Sequence, residues 1–229
     1  MKQLASITTN NKTFYLVSFL IFTVFGLFLL MTTKANGFIA LNGLHSFPLN
    51  VFFVNYTFTG DGLFTLAICI YLFSRKQNKL AVCILAAYLT SGLLVQVLKN
   101  LVYSPRPRIY FEASQYLFHL DNFGNSGGGL SSFPSGHTTS AFALATVLAI
   151  YSRKKYFSIL LLAAAMLTGY SRIYLAQHFP SDVLAGAFIG MFFGTLSFIL
   201  LERRIKISFF QKKHPASQWD ESLSGTTSL

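Results

Sequence analysis

Charged side chains are scarce in this sequence. Only 11% of its 229 residues are Asp, Glu, Lys or Arg, whereas 53% are hydrophobic. Soluble globular domains usually carry about 25% charged residues, so the composition argues against a soluble domain. Strands of alternating polar and apolar residues are also missing, which argues against a transmembrane barrel. The sequence therefore predicts an all-α, polytopic membrane protein.

Cysteine is nearly absent as well, with only two residues in the whole chain. Cys69 and Cys83 both lie within apolar runs. Free cysteine is among the most buried residue types and packs like a small hydrophobic side chain. The pattern therefore favours two buried thiols over a disulfide or a metal site.

Long apolar runs are what the sequence has instead, and they predict a six-transmembrane-helix bundle. The runs are Phe14–Met31, Val51–Phe73, Leu80–Leu98, Thr138–Tyr151, Tyr156–Tyr170 and Val183–Leu201. A membrane-spanning helix takes about 20 residues, and the fourth and fifth runs reach this length only with their flanks. The first run is too long for a signal peptide and no cleavage site follows it, so we interpret it as a span.

The chain is predicted to have one membrane domain with short extensions. We expect a cytoplasmic N-terminus at residues 1–13, the six-helix domain at 14–201, and a basic, then disordered cytoplasmic tail at 202–229. The segment GFIALNGLHSFPLN after the first run mixes apolar and polar residues. This mixture predicts a short helix in the membrane interface after the first span.

Basic residues are distributed unevenly if the six helices alternate across the bilayer. One side carries most of the 18 lysines and arginines. The other side carries Lys34, Lys99, Arg106, Arg108 and Arg172. The positive-inside rule assigns the richer side, with both termini, to the cytoplasm. The net charge of +11 thus indicates topology and contact with anionic lipid headgroups rather than binding to nucleic acid.

Three polar clusters meet on the outer side of the predicted bundle. Lys99 and Arg106 follow the third run, PSGH at 134–137 opens the fourth, and SRIYLAQHFPSD at 171–182 joins the fifth to the sixth. Charged groups at a membrane boundary are costly unless they are needed there. Polar residues of an ordinary solvated loop would have no reason to meet from three distant segments, so we interpret the three clusters as one site.

The start of the fourth helix is suited to an anion. Pro134 fits the first helical turn, where its missing N–H costs nothing. Ser135, Gly136 and His137 should then present free backbone N–H groups at the positive end of the helix, where anions bind. Gly136 has no side chain to obstruct a close approach. The pattern predicts that Ser135 and Gly136 bind phosphate.

The remaining residues of the clusters suit phosphoryl chemistry. Lys99 supplies a point charge, whereas Arg106 and Arg172 can each bind two phosphate oxygens through a planar fork. Of the two histidines, one can attack phosphorus and the other can protonate the leaving oxygen. Asp182, four residues after His178, is placed to hold an imidazole N–H on one helical turn.

These motifs resemble those of the type-2 phosphatidic acid phosphatase superfamily. The matching segments are KNLVYSPRP (99–107), PSGH (134–137) and SRIYLAQHFPSD (171–182). They agree in order and spacing, and the helix pattern extends the resemblance over nearly the whole domain. The resemblance implies a membrane-embedded lipid phosphatase.

The family's residue roles can be transferred to the matching positions. The resemblance implies that His178 forms a phosphohistidine, that Asp182 orients it, and that His137 acts first as general acid and then as base. It implies phosphate binding by Lys99, Arg106, Ser135, Gly136 and Arg172. No metal or other cofactor is implied, and three nearby cations would repel a divalent ion from His137, His178 and Asp182.

The substrate is expected to be a phosphorylated membrane lipid, reached from the periplasmic or extracellular side of the plasma membrane. An isoprenoid carrier diphosphate such as undecaprenyl pyrophosphate is the leading candidate, followed by phosphatidylglycerol phosphate, phosphatidate and lipid A phosphates. A phosphotransferase could use the same phosphohistidine. Vanadium haloperoxidases share the motifs, but those enzymes resemble soluble proteins, whereas this chain is predicted to be embedded in a membrane. An anion transporter would be expected to carry polar residues through the whole bundle, and the fourth to sixth helices show few.

Several features leave alternatives open. Asp61, inside the second run, could pair with a site cation or bond to neighbouring helices. Gly186, Gly190 and Gly194 favour packing within the bundle over a homodimer seam, and the oligomeric state stays open. The Gly-rich loop at 124–132 could move over the site. His45, His119 and His214 have no partner visible in the sequence.

Overall fold

The computed structural model describes residues 11–114, 116–118 and 131–209, with side chains described up to 201. The regular elements in these ranges are all helical, as predicted. They are α1 (Lys12–Met31), α2 (Lys34–Asn42), α3 (Phe47–Tyr56), a 3₁₀ turn (Thr57–Gly60), α4 (Gly62–Ser74), α5 (Asn78–Leu101), α6 (Pro107–Tyr110), α7 (Gly136–Ser152), α8 (Lys155–Tyr174) and α9 (Pro180–Phe209).

Not all six predicted spans are formed by long helices. Within the described ranges, α1, α5, α8 and α9 are long and apolar enough to cross a membrane. The pair formed by α2 and Phe47–Gly60 passes the same test together, but it is bent by 113° at its break. α4 has 13 residues and α7 has 17, so neither reaches the usual length alone.

The second apolar run is interrupted, contrary to the continuous helix predicted over Val51–Phe73. A 3₁₀ turn at Thr57–Gly60 ends α3, and α4 begins immediately after Asp61. The Asp61 carboxylate accepts a hydrogen bond from the backbone N–H of Leu63 at 3.0 Å, which makes it the N-cap of α4. An aspartate in this position satisfies one of the donors that a helix start leaves unpaired.

Helix α7 lies at the centre of the bundle and packs against α5, α8 and α9. The glycines of α9 permit the closest of these contacts. A Cβ atom on Gly190 would lie 2.4 Å from the carbonyl oxygen of Thr139, and one on Gly186 would lie 2.6 Å from that of Ser135. The predicted role of these glycines in packing within the bundle is therefore confirmed.

The two cysteines lie in the packed core, as predicted. Cys69 and Cys83 are free and buried, and they share a hydrophobic cluster with α7 and α9 side chains. By contrast, the outer surface of the bundle carries many exposed apolar side chains, such as Val24, Ile70 and Leu160. An apolar surface of this extent matches a protein whose surrounding solvent is lipid.

Candidate active site

The three polar clusters come together at one end of α7. Ser135, the residue before this helix, donates a backbone hydrogen bond to the Asp182 carbonyl oxygen at 3.0 Å. The positive charges of Arg172, Lys99 and Arg106 all act electrostatically on His137. The structure therefore gathers the side chains that the sequence analysis assigned to a single site.

The first turn of α7 differs in one respect from the expectation. Ser135 is the N-cap, and its side chain accepts a hydrogen bond from the Thr138 N–H at 3.4 Å. Because the Ser135 N–H bonds to Asp182, it is not available to a ligand, contrary to the prediction. Gly136 and His137 are the first helical residues, and N–H groups at these positions have no carbonyl one turn earlier to accept them.

The two arginines are held by polar groups from distant segments. Arg106 donates from Nη1 to the side-chain oxygen of Gln177 at 2.9 Å, and Arg172 donates from Nη1 to the Thr57 hydroxyl at 2.6 Å. The Nε atoms of both arginines are buried and lack a hydrogen-bond partner in the described part of the chain. Buried donors of this kind normally have partners, so each guanidinium group keeps one N–H donor that no described residue satisfies.

His178 and Asp182 face each other without a direct hydrogen bond. His178 Nδ1 and Asp182 Oδ2 are 3.6 Å apart. The hydroxyl of Ser132 lies beside this pair, 2.5 Å from Asp182 Oδ2 and 3.2 Å from His178 Nδ1. Asp182 Oδ2 also accepts the backbone N–H of Phe179 at 2.9 Å. The predicted pair is thus in place, but a third side chain connects its members.

A tight turn after α8 places His178. Ala176 adopts a left-handed conformation with φ of 53°, and the N–H groups of Gln177 and His178 both donate to the Arg172 carbonyl oxygen. His178 is fully buried, and burial lowers its pKa to about 4, although the neighbouring negative charge of Asp182 opposes this shift. The imidazole is therefore neutral at pH 7 and has one unprotonated nitrogen.

Two hydrogen bonds hold the long connection between α6 and α7 near its C-terminal end. Ser132 donates its N–H to the Ser104 carbonyl oxygen at 2.6 Å, and the Ser131 hydroxyl donates to that of Val102 at the same distance. Lys34 of α2 donates to the Ser104 hydroxyl and lies 4.2 Å from the ring centre of Phe179. Residues 124–130 of the Gly-rich loop, His119 and His214 lie outside the described residues.

An apolar cavity of about 590 Å³ lies among the helices of the bundle. Its walls come mainly from α1, α8 and α9 and include Val24, Met166 and Leu184. Ile173 and Val183 line the cavity and are the chain neighbours of Arg172 and Asp182. Since Val24 is largely exposed, the cavity reaches the outer surface of the bundle.

Comparison with known proteins agrees with the motifs. The sequence profile of the PAP2 superfamily matches residues 80–206, which is more than half of the chain. The chain belongs to the PAP2 superfamily. The resemblance inferred from the three motifs is therefore confirmed, and the matched region contains all of the sequence-predicted site residues.

Several PAP2 relatives are lipid phosphatases. The chain is 34% identical to the lipid A 4'-phosphatase of Bacteroides thetaiotaomicron, over 71% of this chain and 74% of the relative. It is 31% identical to the undecaprenyl-diphosphatase BcrC of Bacillus subtilis, over 70% of this chain and 80% of the relative. The crystal structure of Aquifex aeolicus LpxE is similar at 36% identity and a TM-score of 0.60, covering 70% of this chain and 91% of that one.

Three residues of this PAP2 site were missed by sequence reasoning: Ser132, Thr57 and Gln177. Gln177 lies inside the third motif but has no fixed role there, and Ser132 lies just before the second. Thr57 lies in an apolar run that gave no sign of the turn. Only the folded chain brings their side chains to the catalytic candidates and the arginines. Among the described residues, no three His, Cys, Asp or Glu side chains are grouped to hold a metal ion.

Proposed function

We propose that this protein hydrolyses a phosphate monoester or diphosphate of a membrane lipid through a phosphohistidine formed at His178. The observation that carries the proposal is the meeting of a neutral buried imidazole with two arginines whose Nε donors are buried and unpaired. Lysine, arginine and helix N-terminal groups around a phosphoryl group would stabilise the charge of its transition state. Phosphatase activity of the relatives supports the same reaction class.

The reaction runs in two steps. In the first, the Nε2 lone pair of His178 attacks phosphorus and an N–P bond forms, while the P–O bond to the leaving group breaks as His137, protonated in the enzyme–substrate complex, gives its extra proton to that oxygen and becomes neutral. In the second, His137 takes a proton from water, the water oxygen attacks phosphorus, and the N–P bond breaks to release phosphate. Asp182 stabilises the charge on His178, and no metal ion is required.

In this proposal, the phosphate of the substrate is bound at the N-terminus of α7 by Lys99, Arg106, Arg172, Ser135 and Gly136. Each of the two guanidinium groups donates a hydrogen bond from Nη1 to a side-chain oxygen, which leaves Nε free for a phosphate oxygen. Because the Ser135 N–H is already bonded to Asp182, Ser135 would act by capping α7 and aligning the N–H groups of the next two residues.

A lipid substrate is supported by the apolar cavity beside the cations. A phosphate held by Arg172 would leave the hydrocarbon part of the substrate close to Ile173 and Val183, which line the cavity. Each methylene group removed from water contributes roughly 0.8 kcal/mol, although a lipid tail arriving from a bilayer gains less. We keep an isoprenoid carrier diphosphate such as undecaprenyl pyrophosphate as the leading substrate, with lipid A phosphates, phosphatidylglycerol phosphate and phosphatidate as the other candidates.

The membrane topology is part of the same proposal. Six passes, a plasma-membrane location, both termini in the cytoplasm and an active site on the periplasmic or extracellular side would explain the uneven distribution of basic residues. In this arrangement α2 would lie in the outer interface, and the broken element from α3 to α4 would form the second pass.

Phosphate release by the detergent-purified full-length protein tests the function. The assay contains a chelator and each of the four candidate lipids, with His178→Ala beside His214→Gln, a control at a histidine outside the segment that the PAP2 profile matches. We expect release that persists in chelator, is lost in His178→Ala and is retained in His214→Gln, together with an acid-labile label from ³²P substrate. Equal release by His178→Ala would overturn the proposal, and release that depends on an added hydroxyl acceptor would favour a phosphotransferase instead.

A further inference from the structure

Ser132 contacts both of the residues that should cooperate in the reaction, His178 and Asp182. A separation of 3.6 Å between His178 Nδ1 and Asp182 Oδ2 exceeds the usual range of a hydrogen bond. Ser132 Oγ is within that range of both atoms, and the serine is fully buried. A single hydroxyl group therefore links the carboxylate to the imidazole.

The two distances determine the direction of the hydrogen bonds. A serine hydroxyl has one proton to donate and two lone pairs that accept. The 2.5 Å separation from Asp182 Oδ2 is typical of an O–H donating to a carboxylate, so the proton of Ser132 points to Asp182. The lone pairs of Ser132 then face His178 Nδ1 at 3.2 Å and accept its proton.

We propose that Ser132 is a positioning residue that fixes the tautomer of His178. With Nδ1 carrying the proton and donating to Ser132 Oγ, Nε2 keeps its lone pair for attack on phosphorus. The inference rests on the function proposed above and adds a residue to it. The Asp182 carboxylate, 3.6 Å from Nδ1, then acts on His178 both directly through its charge and through the hydroxyl of Ser132.

The backbone around Ser132 makes its side chain available for this role. The N–H of Ser132 is bonded to Ser104, and the neighbouring Ser131 hydroxyl is bonded to Val102. Both bonds join the segment before the second motif to the segment of the first. Replacing the Ser132 hydroxyl leaves them unchanged, because neither uses it.

Two alanine variants distinguish a positioning role of Ser132 from a merely structural one. Ser132→Ala removes the bridging hydroxyl, and Ser131→Ala removes an adjacent hydroxyl that does not contact His178. We expect Ser132→Ala to lower kcat by about 10-fold to 100-fold, with KM and Tm close to those of Ser131→Ala, because the lost hydrogen bonds involve a charged partner. Ser132→Thr, which keeps a hydroxyl, should recover part of the activity.

The tautomer itself is measured by ¹⁵N NMR of the histidine-labelled full-length protein, with His178→Gln used to assign the signals. We expect His178 in the wild type to be protonated at Nδ1 at neutral pH, and Ser132→Ala to show a mixture of tautomers. A wild-type His178 protonated at Nε2 would overturn the proposal even if Ser132→Ala did not fold. Equal kcat for the two alanine variants, with the wild type active and His178→Ala inactive, would overturn the role of Ser132 and leave the phosphatase proposal intact.

Discussion

Arg172 donates a hydrogen bond of 2.6 Å from Nη1 to the Thr57 hydroxyl, which joins the end of α8 to the 3₁₀ turn after α3. This contact connects the interruption of the second apolar run with a cation of the candidate site. A continuous helix over the same residues would not present this turn to Arg172. The break in the helix is therefore part of the site's construction.

Thr57→Val tests that connection, because valine keeps the shape of threonine and removes the hydroxyl. We expect kcat/KM to fall about tenfold, since Arg172 would lose its neutral anchor and be less well placed for phosphate. Thr59→Val is the matched control, as its hydroxyl in the same turn bonds to Tyr56 and Thr168 instead. Steady-state kinetics on both variants should separate them, and an equal loss in the control would contradict the explanation.

The pKa of His178 predicts how activity depends on pH. Burial lowers this pKa to about 4, so the neutral nucleophile predominates above that pH and is lost as the pH falls through it. We expect the acid limb of kcat/KM that belongs to His178 to lie near pH 4, after the titration of the substrate's own phosphate has been measured and divided out. A limb at the ordinary histidine value of about 6.5 would show that the imidazole is less buried in the working enzyme.

The approach of α9 to α7 predicts a sharp difference between two glycines. A Cβ on Gly190 would lie within 3 Å of atoms of Thr139, Phe142 and Ala143, whereas nothing lies within 4 Å of one on Gly92. Gly190→Ala should destabilise the protein by about 1–3 kcal/mol through overpacking. Gly92→Ala should be neutral or slightly stabilising. Thermal unfolding in the same detergent compares the two, and similar Tm values would argue against tight packing.

Two substitutions of Asp61 separate its possible roles. Asparagine caps helices about as well as aspartate, so Asp61→Asn should keep the stability of the wild type. Asp61→Ala removes the acceptor for the Leu63 N–H and should cost about 1 kcal/mol. If Asp61→Asn proved as destabilising as Asp61→Ala, the negative charge near Arg172 would matter more than the cap.

The apolar cavity predicts selectivity for long substrates. Met166→Trp fills part of the cavity, whereas Leu167→Trp changes the neighbouring residue, which does not line it. We expect Met166→Trp to raise KM about tenfold for a long-chain lipid phosphate, as if roughly two methylene contacts were lost, and to leave a short soluble phosphate ester unaffected. Equal effects of Met166→Trp on both substrates would place the tail elsewhere.

Much of the site could be predicted because its residues lie at fixed spacings along the chain. The PSGH motif correctly marked the start of a helix, which begins at Gly136 with Ser135 as its cap. The spacing of His178 and Asp182 predicted that they lie close together on one helical turn. They do lie close together, but His178 precedes α9, whereas Asp182 is in its first turn. Local sequence determines these features, so no knowledge of the fold was needed.

The missed features depend on contacts between distant segments. The break at Thr57–Gly60 is hidden within a run of apolar residues, and only the closeness of Gly60 to His137 and Thr168 gives it a structural reason. Likewise, the Ser135 N–H is the first free donor that a helix start should offer, yet the fold pairs it with Asp182. Hydrophobic periodicity carries no information about the helix break or about this hydrogen bond.

The central position of α7 has a consequence for the biogenesis of the protein. This helix buries Thr138, Thr139 and Thr146, and among the described helices it is not one of those apolar enough to cross a membrane alone. A nascent α7 that leaves the translocon would therefore be poorly stable in the bilayer until other helices cover its hydroxyl groups. Only Arg153 and Lys154 separate it from α8, so we expect the two to insert as a hairpin. Helix α9, which follows α8, would then complete the enclosure of α7 and bring Asp182 to Ser132 in the same event.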